Sequence, residues 1–463
     1  MVTIISSERK LVDVENGVMN RQIYYDADIY QQELERVFAR MWLFIGHESQ
    51  IPNPNDFFVS RMGEESVIMT RDRQNQIHVL LNTCRHRGMK VCRYDEGNTP
   101  VFSCPYHGWS YSTDGTLVSA PGELIGVPQF RTAYHGELNK EEWGLVSVPK
   151  MQVYKGGVFA CWDEKAPDFF DYVGDFLPYL DGLFDHRDGR EGGSVVVGGV
   201  QKWRVPCNWK FSSENFTNGA GHNISHRSVE LVGIGPGGAG QTRSGERSRE
   251  RNQSQGKVSF PESGHCARGG IPLVEESYPF PSFNSKLGPL DDMEAVDRYY
   301  REIYEKRRVN LAGKPVSWAG GNLFPNMSYH SQFPRSILVT HPAGPMEMEM
   351  WRWVLVDADA PKEVVDLARH HALRYSGPAG MTEQDDMENW NYAAAASKGT
   401  IAKRYPYSYK MGLGHAMKVD DLEGAIISDH TTTEENDRNF YKRWAELMDA
   451  PSWDDLPAMN RSQ

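Results

Sequence analysis

The spacing of apolar residues changes along the chain and separates regions of different secondary structure. Residues 28–42 carry apolar side chains at helical spacing, with Leu34 and Phe38 on one stripe. Between about residues 42 and 148 the apolar residues instead form short runs, such as 57–59, that are broken by Asn, Gly and Pro. We therefore predict an N-terminal helix followed by a small antiparallel β domain.

The second half of the chain mixes strand-like and helix-like patterns. Apolar side chains alternate over residues 326–340 and 347–356, which predicts strands. Residues 208–232 are interpreted mostly as one helix, although Gly219 and Gly221 interrupt the pattern. Helical spacing predicts three further helices, over residues 361–375, 383–397 and 434–448. These patterns indicate a second domain of helices and strands.

Length and composition narrow the class of protein. A chain of 463 residues is long enough for two or three domains. Its net charge of −12 argues against nucleic acid or an anionic membrane as the main partner. No apolar run approaches the ~18 residues that a membrane span needs, and residues 1–10 lack a signal-peptide core. Six cysteines are too few for a disulfide scaffold, so we expect reduced thiols and a cytoplasmic protein.

The strongest chemical signal is a pair of short Cys and His motifs. Cys84 and His86 form a Cys-x-His pair, and Cys104 and His107 form a Cys-x-x-His pair further along. Two thiolates and two imidazoles suit a [2Fe–2S] cluster in which the cysteines bind one iron and the histidines bind the other. The same donors could hold structural zinc, but zinc sites favour two cysteines in one loop, whereas each loop here carries one donor of each kind. We predict the cluster and keep zinc as the alternative.

A glycine-rich segment at residues 233–238 formally matches the G-x-G-x-x-G fingerprint of dinucleotide-binding proteins. The segment that follows it, residues 241–257, is polar and rich in arginine and does not have a helical pattern. No acidic residue stands at the distance that binds ribose. We therefore predict a mobile loop and no nicotinamide or flavin site, so that electrons must come from separate proteins.

A second candidate metal site combines two regions that are far apart in sequence. Four polar residues recur at every fourth position and are expected on one helical face, namely Glu214, Asn218, His222 and His226. An acidic cluster at residues 383–386 opens a later predicted helix. Two histidines with one carboxylate form the facial triad that binds iron(II) and leaves positions for dioxygen and substrate.

With these features, the chain resembles the α subunits of Rieske non-heme iron, aromatic-ring-hydroxylating oxygenases. The resemblance covers nearly the whole chain and includes the two cluster loops, the paired histidines and shorter phrases at residues 208–210, 214–216, 341–345 and 377–390. It implies that Cys84, His86, Cys104 and His107 hold the cluster, that His222, His226 and Asp386 hold one mononuclear Fe(II) per subunit, and that Asn215 is the active-site asparagine.

The resemblance also implies an α+β fold. The family joins an antiparallel β Rieske [2Fe-2S] domain to a helix-grip (START or Bet v1-like) catalytic domain with a curved antiparallel sheet and helices. We expect the Rieske domain at residues 43–165 and the catalytic domain at residues 166–463. Residues 1–42 are expected to form a helical segment that packs on the catalytic domain.

Two positions before His222 depart from the family pattern. The family usually has Asp three residues before the first iron-binding histidine and often Tyr directly before it, whereas this chain has Gly219 and Gly221. That aspartate normally bridges the cluster of one subunit to the iron of its neighbour. We therefore expect Asn218 to make the bridge, between His222 and His107 of the partner subunit.

The function that the resemblance implies is that of a large α subunit of a multicomponent oxygenase. It would use O2 and electrons from NAD(P)H, delivered by a reductase and a ferredoxin, for cis-dihydroxylation of a small aromatic substrate. A small β subunit in an α3β3 assembly is the family's common arrangement. Ser376 and Thr382 stand where naphthalene- and biphenyl-type members are frequently aromatic, which indicates a roomier or more polar pocket. The alternative is oxidative N-dealkylation of an N-methyl aryl compound, such as an arylurea or anilide.

Overall fold

The computed structural model describes residues 10–120, 138–218, 222–232, 257–268, 271, 273–274, 293–316, 320–331, 334–419, 422, 424–428 and 433–457. The glycine-rich segment at residues 233–238 lies outside these ranges, so its interpretation as a loop stays a prediction. The chain forms two compact units, residues 39–166 and residues 1–38 together with 167–463. The prediction that a separate domain begins at residue 43 and ends at residue 165 stays a prediction.

The N-terminal part of the larger unit is built from short elements. Strands β1 (Val12–Asp13) and β2 (Val18–Met19) pair with each other in an antiparallel ladder. Helix α1 (Ala27–Glu33) begins after Asp26 because the Asp26 side chain accepts two N–H groups of its first turn. A π-helical turn, Leu34–Phe38, follows α1 directly. Helical backbone therefore ends at residue 38, four residues before the predicted end at residue 42.

A buried carboxylate ties α1 to the rest of the larger unit. Glu33 has no solvent-accessible surface and accepts hydrogen bonds from Trp209 Nε1 at 2.9 Å and Trp444 Nε1 at 2.8 Å. It also forms a fully buried ion pair with Lys210. A buried ion pair is tolerated only where further hydrogen bonds satisfy both charges. The two indole donors supply them on the carboxylate side.

The smaller unit consists mainly of antiparallel strands. In chain order they are β3 (Leu43–His47), β4 (Asp56–Met62), β5 (Glu65–Arg71), β6 (Ile77–Leu81), β7 (Glu96–Asn98), β8 (Val101–Ser103), β9 (Ser110–Ser112), β10 (Leu117–Ser119), β11 (Lys150–Tyr154) and β12 (Gly157–Cys161). They form three sheets, in the orders β6-β5-β4-β7, β10-β9-β8 and β11-β12-β3. The predicted antiparallel β domain is confirmed.

The larger unit contains the long strands of the molecule. Its strands are β13 (Ser194–Val205), β14 (Val258–Phe260), β15 (His265–Ala267), β16 (Leu273–Val274), β17 (Pro315–Val316), β18 (Gly320–Leu323), β19 (Met327–His330), β20 (Arg335–Gly344), β21 (Glu347–Asp357), β22 (Tyr407–Ser408), β23 (Ala416–Lys418) and β24 (Ile426–Ser428). Nine of them form one antiparallel sheet in the order β13-β21-β20-β19-β18-β15-β14-β24-β23. The alternating run at residues 326–340 is thus two strands, β19 and most of β20.

Helices of the larger unit complete an α+β fold. They are α2 (Phe169–Val173), α3 (Leu177–Phe184), α4 (Trp209–Asn218), α5 (Arg227–Val232), α6 (Met293–Asn310), α7 (Lys362–Tyr375), α8 (Met381–Ser397) and α9 (Glu435–Asp449). Helix α4 contacts the central strands β18, β19 and β20 as well as α9. Among the described residues, no helix is both long and apolar enough to cross a membrane. The predicted fold class, a β domain beside a unit with a large antiparallel sheet and helices, is confirmed.

The prediction of one long helix over residues 208–232 is wrong. Helix α4 ends at Asn218, a 3-10 turn covers His222–Ile224, and α5 begins only at Arg227. Two of the three residues between α4 and this turn are glycine. Only proline is less favourable than glycine in the interior of a helix. The four polar residues that recur at every fourth position, Glu214, Asn218, His222 and His226, therefore do not share a face of one helix.

Candidate iron centres

The two Cys and His motifs of the smaller unit lie in turns with the same backbone hydrogen bonds. The Cys84 carbonyl accepts the N–H of Gly88 at 2.9 Å, and the Cys104 carbonyl accepts the N–H of Gly108, also at 2.9 Å. Both glycines have positive φ values, 72° and 76°, a backbone region that side chains disfavour. Each motif is therefore held by a tight turn that needs glycine at its end.

The donor atoms of these turns fit a cluster with two thiolate and two imidazole ligands. The His86 and His107 ring centroids are 4.6 Å apart. His86 Nδ1 is buried and has no hydrogen-bond partner within the described residues. Burial and the neighbouring His107 lower the pKa of His86, which favours the neutral imidazole that a metal requires. An unpaired buried nitrogen of this kind is readily explained as a metal ligand.

Tyr111 is a functional candidate that the sequence analysis missed. Its side chain is fully buried, and its hydroxyl oxygen accepts the backbone N–H of Arg85 at 3.1 Å. The same hydroxyl lies 3.3 Å from Cys84 Sγ, so its proton can be donated to the sulfur. A hydrogen bond to a ligating sulfur tunes the reduction potential of an iron–sulfur centre. The only sequence signal was an aromatic residue in a short strand after the second motif.

A second group of donors lies in the larger unit. Ligand atoms of His222, His226 and Asp386 all lie within 4.8 Å of one another. His222 Nε2 and Asp386 Oδ1 are in direct contact, and His226 Nε2 is 3.5 Å from the same oxygen. Two imidazoles and one carboxylate that converge in this way match the donor set of a mononuclear non-heme iron site. The donors present therefore fit the predicted metal.

Asp385 contacts His226 on the ring nitrogen that does not face Asp386. Its Oδ2 accepts hydrogen bonds from His226 Nδ1 at 3.3 Å and from Ser228 Oγ at 3.0 Å. Because His226 Nδ1 carries the proton, Nε2 is left unprotonated and is directed toward Asp386. Asn389 Nδ2 bonds the backbone carbonyl of Asp385 at 2.9 Å. Carboxylates that orient a ligating histidine in this way strengthen metal sites.

Several residues that the sequence grouped with this site do not join it. Glu214 is buried away from the metal donors, and it accepts hydrogen bonds from Tyr409 at 2.9 Å and from Tyr441. Burial and the nearby Asp437 raise the pKa of Glu214 to about 8. Glu383, in the acidic cluster, instead pairs with Arg352 at 2.8 Å inside the protein.

The two predicted active-site asparagines, Asn215 and Asn218, show no contact with the candidate metal donors within the described residues. Asn215 lies half-buried on α4 and makes no side-chain hydrogen bond within the part of the chain that the structure describes. Asn218 ends α4, but its side chain lies outside the described residues. The catalytic role of Asn215 and the bridging role of Asn218 therefore stay predictions.

Comparison with known proteins defines first the class and then the family. The model of the Rieske [2Fe-2S] domain matches residues 41–130, so the smaller unit is a Rieske domain and the zinc alternative is not supported. The chain is 38% identical to biphenyl dioxygenase subunit alpha of Paraburkholderia xenovorans (strain LB400), over 96% of this chain and 94% of that protein. The chain belongs to the α subunits of Rieske aromatic-ring-hydroxylating dioxygenases, oxidoreductases that incorporate O2 and use mononuclear non-heme iron beside the cluster.

A solved structure and a more distant relative complete the comparison. The crystal structure of naphthalene 1,2-dioxygenase from Rhodococcus sp. bound to indole has a TM-score of 0.75 and 32% identity, and it covers 94% of this chain and 95% of that chain. The N,N-dimethyl phenylurea N-demethylase subunit alpha of Sphingobium sp. (strain YBL2) is 28% identical over 96% of this chain and 94% of that protein. The predicted family, enzyme class and cofactors are confirmed.

Proposed function

We propose that this chain is the catalytic subunit that converts an aromatic ring to a cis-dihydrodiol. The ring, O2, two electrons and two protons combine, and both oxygen atoms enter adjacent ring carbons. The observation that carries the proposal is the convergence of His222, His226 and Asp386 within 4.8 Å, in a chain that also contains a Rieske domain. A two-electron supply and an open metal site are the two requirements of this reaction.

We assign the metal donors as follows. Cys84, His86, Cys104 and His107 hold the cluster, and His222, His226 and Asp386 hold the iron. When bound, the cluster supplies single electrons and the iron activates dioxygen. Asp385 keeps His226 in the tautomer that has a free Nε2, because it accepts the Nδ1 proton. Tyr111 donates to Cys84 and thereby stabilises the negative charge on the sulfur.

The proposed assembly follows the relatives, which are named as alpha subunits. Electrons come from NAD(P)H through a reductase and a ferredoxin, and a small β subunit joins the chain in an α3β3 complex. We place this system in the cytoplasm, which is supported by six cysteines, none of which forms a disulfide in the structure.

Oxidative N-demethylation is the second candidate, because the phenylurea N-demethylase subunit aligns over nearly the whole chain. Its identity of 28% is lower than the 38% found with the biphenyl dioxygenase subunit. Dihydroxylation is therefore the function that we favour.

Isotope labelling separates the two reactions. The purified complex, supplied with reductase, ferredoxin and NADH under 18O2, should convert a panel of arenes to diols that carry two 18O atoms. With N-methyl aryl compounds, demethylated amine and formaldehyde without a diol would instead establish the second candidate. His222→Ala should abolish the products, whereas His370→Ala, which removes an exposed histidine on α7, should not.

The bridging role that we propose for Asn218 has a separate test. Asn218→Ala should retain the iron content and cluster absorption of the wild type, yet slow the oxidation of the pre-reduced cluster in a single turnover with substrate and oxygen. Wild-type speed in this variant would assign the bridge to another residue or to water.

A further inference from the structure

Arg268 is a half-buried charged side chain of the larger unit that has no acidic ion-pair partner among the described residues. It follows strand β15, and its backbone N–H bonds the carbonyl of Gly320 at 2.8 Å. Its guanidinium Nη2 donates to His330 Nδ1 at 3.1 Å, and the guanidinium carbon lies 5.2 Å from the centre of the Phe216 ring. Within the described residues, no carboxylate forms an ion pair with it. Buried charges are normally paired, so this guanidinium requires an explanation.

The chain leaves room for this guanidinium at one position. Residue 320 is glycine, and a Cβ atom there would lie 2.6 Å from Arg268 Nη2 and 3.0 Å from the Tyr329 carbonyl oxygen. Any other residue would therefore push the guanidinium away from its present place. The position of the Arg268 guanidinium therefore depends on glycine at residue 320.

Arg268 lies beside the candidate iron site. The Phe216 ring contacts both the guanidinium and the His330 ring, whose centroid is 5.3 Å from that of Phe216. Phe216 stands on α4 two residues before the helix ends, and His222 is the first residue of the next described turn. Asp386 is close enough to act on the charge of Arg268. With iron(II) bound, however, the negative charge of Asp386 is offset by the metal and cannot neutralise the guanidinium.

His330 adds a hydrogen-bond donor and no negative charge. Burial, together with Arg268, lowers the pKa of His330 well below its usual value, so the ring is neutral at neutral pH. Arg268 Nη2 lies 3.1 Å from Nδ1 and 3.5 Å from Nε2 of this neutral ring, so one ring nitrogen can accept from it while the other carries the ring proton. Both side chains are half-buried and keep accessible surface that a ligand can contact. The pair therefore carries one net positive charge and presents only N–H donors.

We propose that Arg268, positioned by His330 and Gly320, binds a carboxylate carried by the aromatic substrate. This inference rests on the proposed dioxygenase function and specifies its substrate class. The planar fork of a guanidinium matches a carboxylate in two parallel hydrogen bonds, while the Phe216 ring offers an apolar face to the aromatic part. A pure hydrocarbon would leave the buried charge unpaired and would bind less well.

Binding of matched ligands tests the proposal without turnover. Toluene and benzoate differ in one substituent, a methyl group in place of a carboxylate, and their dissociation constants can be measured by tryptophan fluorescence with the oxidised, metal-loaded complex. The wild type should bind benzoate more tightly than toluene. Arg268→Gln should weaken benzoate binding by about 30-fold, with toluene changed by no more than about twofold. Arg308→Gln, which removes an exposed guanidinium on α6, should change neither.

The outcomes separate a ligand-binding role from a structural one. Equal weakening of both ligands in Arg268→Gln, or no benzoate preference in the wild type, would overturn the proposal. If Arg268→Gln does not fold, Gly320→Ala provides the second variant, and it should also lose benzoate affinity selectively. Product analysis is independent of these measurements. Diol formation from toluene without benzoate binding would reject only the carboxylate site, whereas selective benzoate binding without diol from either compound would reject the dioxygenase function.

Discussion

The two metal sites of this protein are built in different ways. All four proposed donors of the Rieske site lie within residues 84–107, in backbone turns that end in positive-φ glycines. The donors of the second site come from segments 164 residues apart, since His222 meets Asp386 only in the folded larger unit. This second site is supported by the side-chain hydrogen bonds that Asp385 accepts from His226 and Ser228.

This difference teaches where each site is vulnerable. A site fixed by backbone turns should depend on its ligands and its glycines to hold the cluster, while other side chains should change only the properties of the bound cluster. At a site fixed by side-chain hydrogen bonds, substitution of a ligand should cause the largest loss of metal affinity, and substitution of a supporting residue a smaller loss. The predictions below test that contrast, beginning with the largest expected effect.

Cys104→Ser should abolish the visible absorption of the cluster and all turnover, since serine does not replace the thiolate that holds the iron. Cys92→Ser is the matched control, because Cys92 belongs to the same buried core and its sulfur donates a hydrogen bond to the Tyr94 carbonyl at 3.5 Å. Absorption spectra and iron content of the purified variants provide the measurement. Full colour in Cys104→Ser would contradict the assignment of the cluster ligands.

Asp386→Ala should remove the mononuclear iron and reduce product formation to background, while the cluster spectrum stays intact. Asp385→Ala should be milder, with a loss of about 10- to 100-fold in iron affinity or activity, as is usual when a supporting partner of a histidine ligand is removed. Metal analysis and turnover assays distinguish the two. An inactive Asp385 variant beside an active Asp386 variant would reverse these roles.

Tyr111→Phe should retain the cluster but lower its reduction potential. A hydrogen bond to a charged acceptor contributes ~1.5 kcal/mol, which corresponds to about 60 mV for one electron. Potentiometric titration of the cluster absorption measures the shift. Tyr94→Phe removes an exposed hydroxyl from the same unit and should leave the potential unchanged. Equal potentials in the wild type and Tyr111→Phe would show that the hydroxyl does not donate to Cys84.

Glu214→Gln should reduce, by a few degrees, the fall in melting temperature that accompanies a rise in pH. Burial raises the pKa of Glu214 to about 8 from an ordinary 4.5, so the folded state holds this proton over a pH range in which the unfolded state has lost it. Stability from this group therefore falls as the pH rises from about 4.5 to about 8. Glutamine cannot ionise, so the melting temperature of the variant should fall less over this range. Parallel pH profiles would mean that Glu214 is ionised in the folded protein.

The Rieske site could be predicted because its information is local. The residue types and spacing of the two motifs, with a glycine after each, were sufficient to predict the type of cluster, and the four donors they indicate stay a prediction. The antiparallel strands around them follow from alternating apolar residues. Tyr111 could not be predicted, because its contact with Cys84 depends on how strand β9 folds back over the first turn.

The catalytic unit was predictable only in outline. Helical spacing located α7, α8 and α9 within two residues of their ends, since each has a clear apolar stripe or acidic start. The same spacing rule failed over residues 208–232, where it joined Glu214 to the histidines although α4 ends before them. Arg268 carried no signal, because an arginine in a polar stretch is ordinary until the structure shows that it is half-buried with no carboxylate partner among the described residues.

The contact of Glu33 with Trp209, Lys210 and Trp444 has a consequence for the order in which the protein matures. The Rieske unit is one uninterrupted stretch, so it can emerge complete from the ribosome while most of the segment after residue 167 is still to be made. The buried charge of Lys210 has no counterion until it meets Glu33, and this corner closes only once Trp444 near the far end of the chain has been synthesised. Since domains generally fold as units during synthesis, cluster assembly can precede closure of the catalytic unit, and metal binding at the proposed Asp386 site would be the later step.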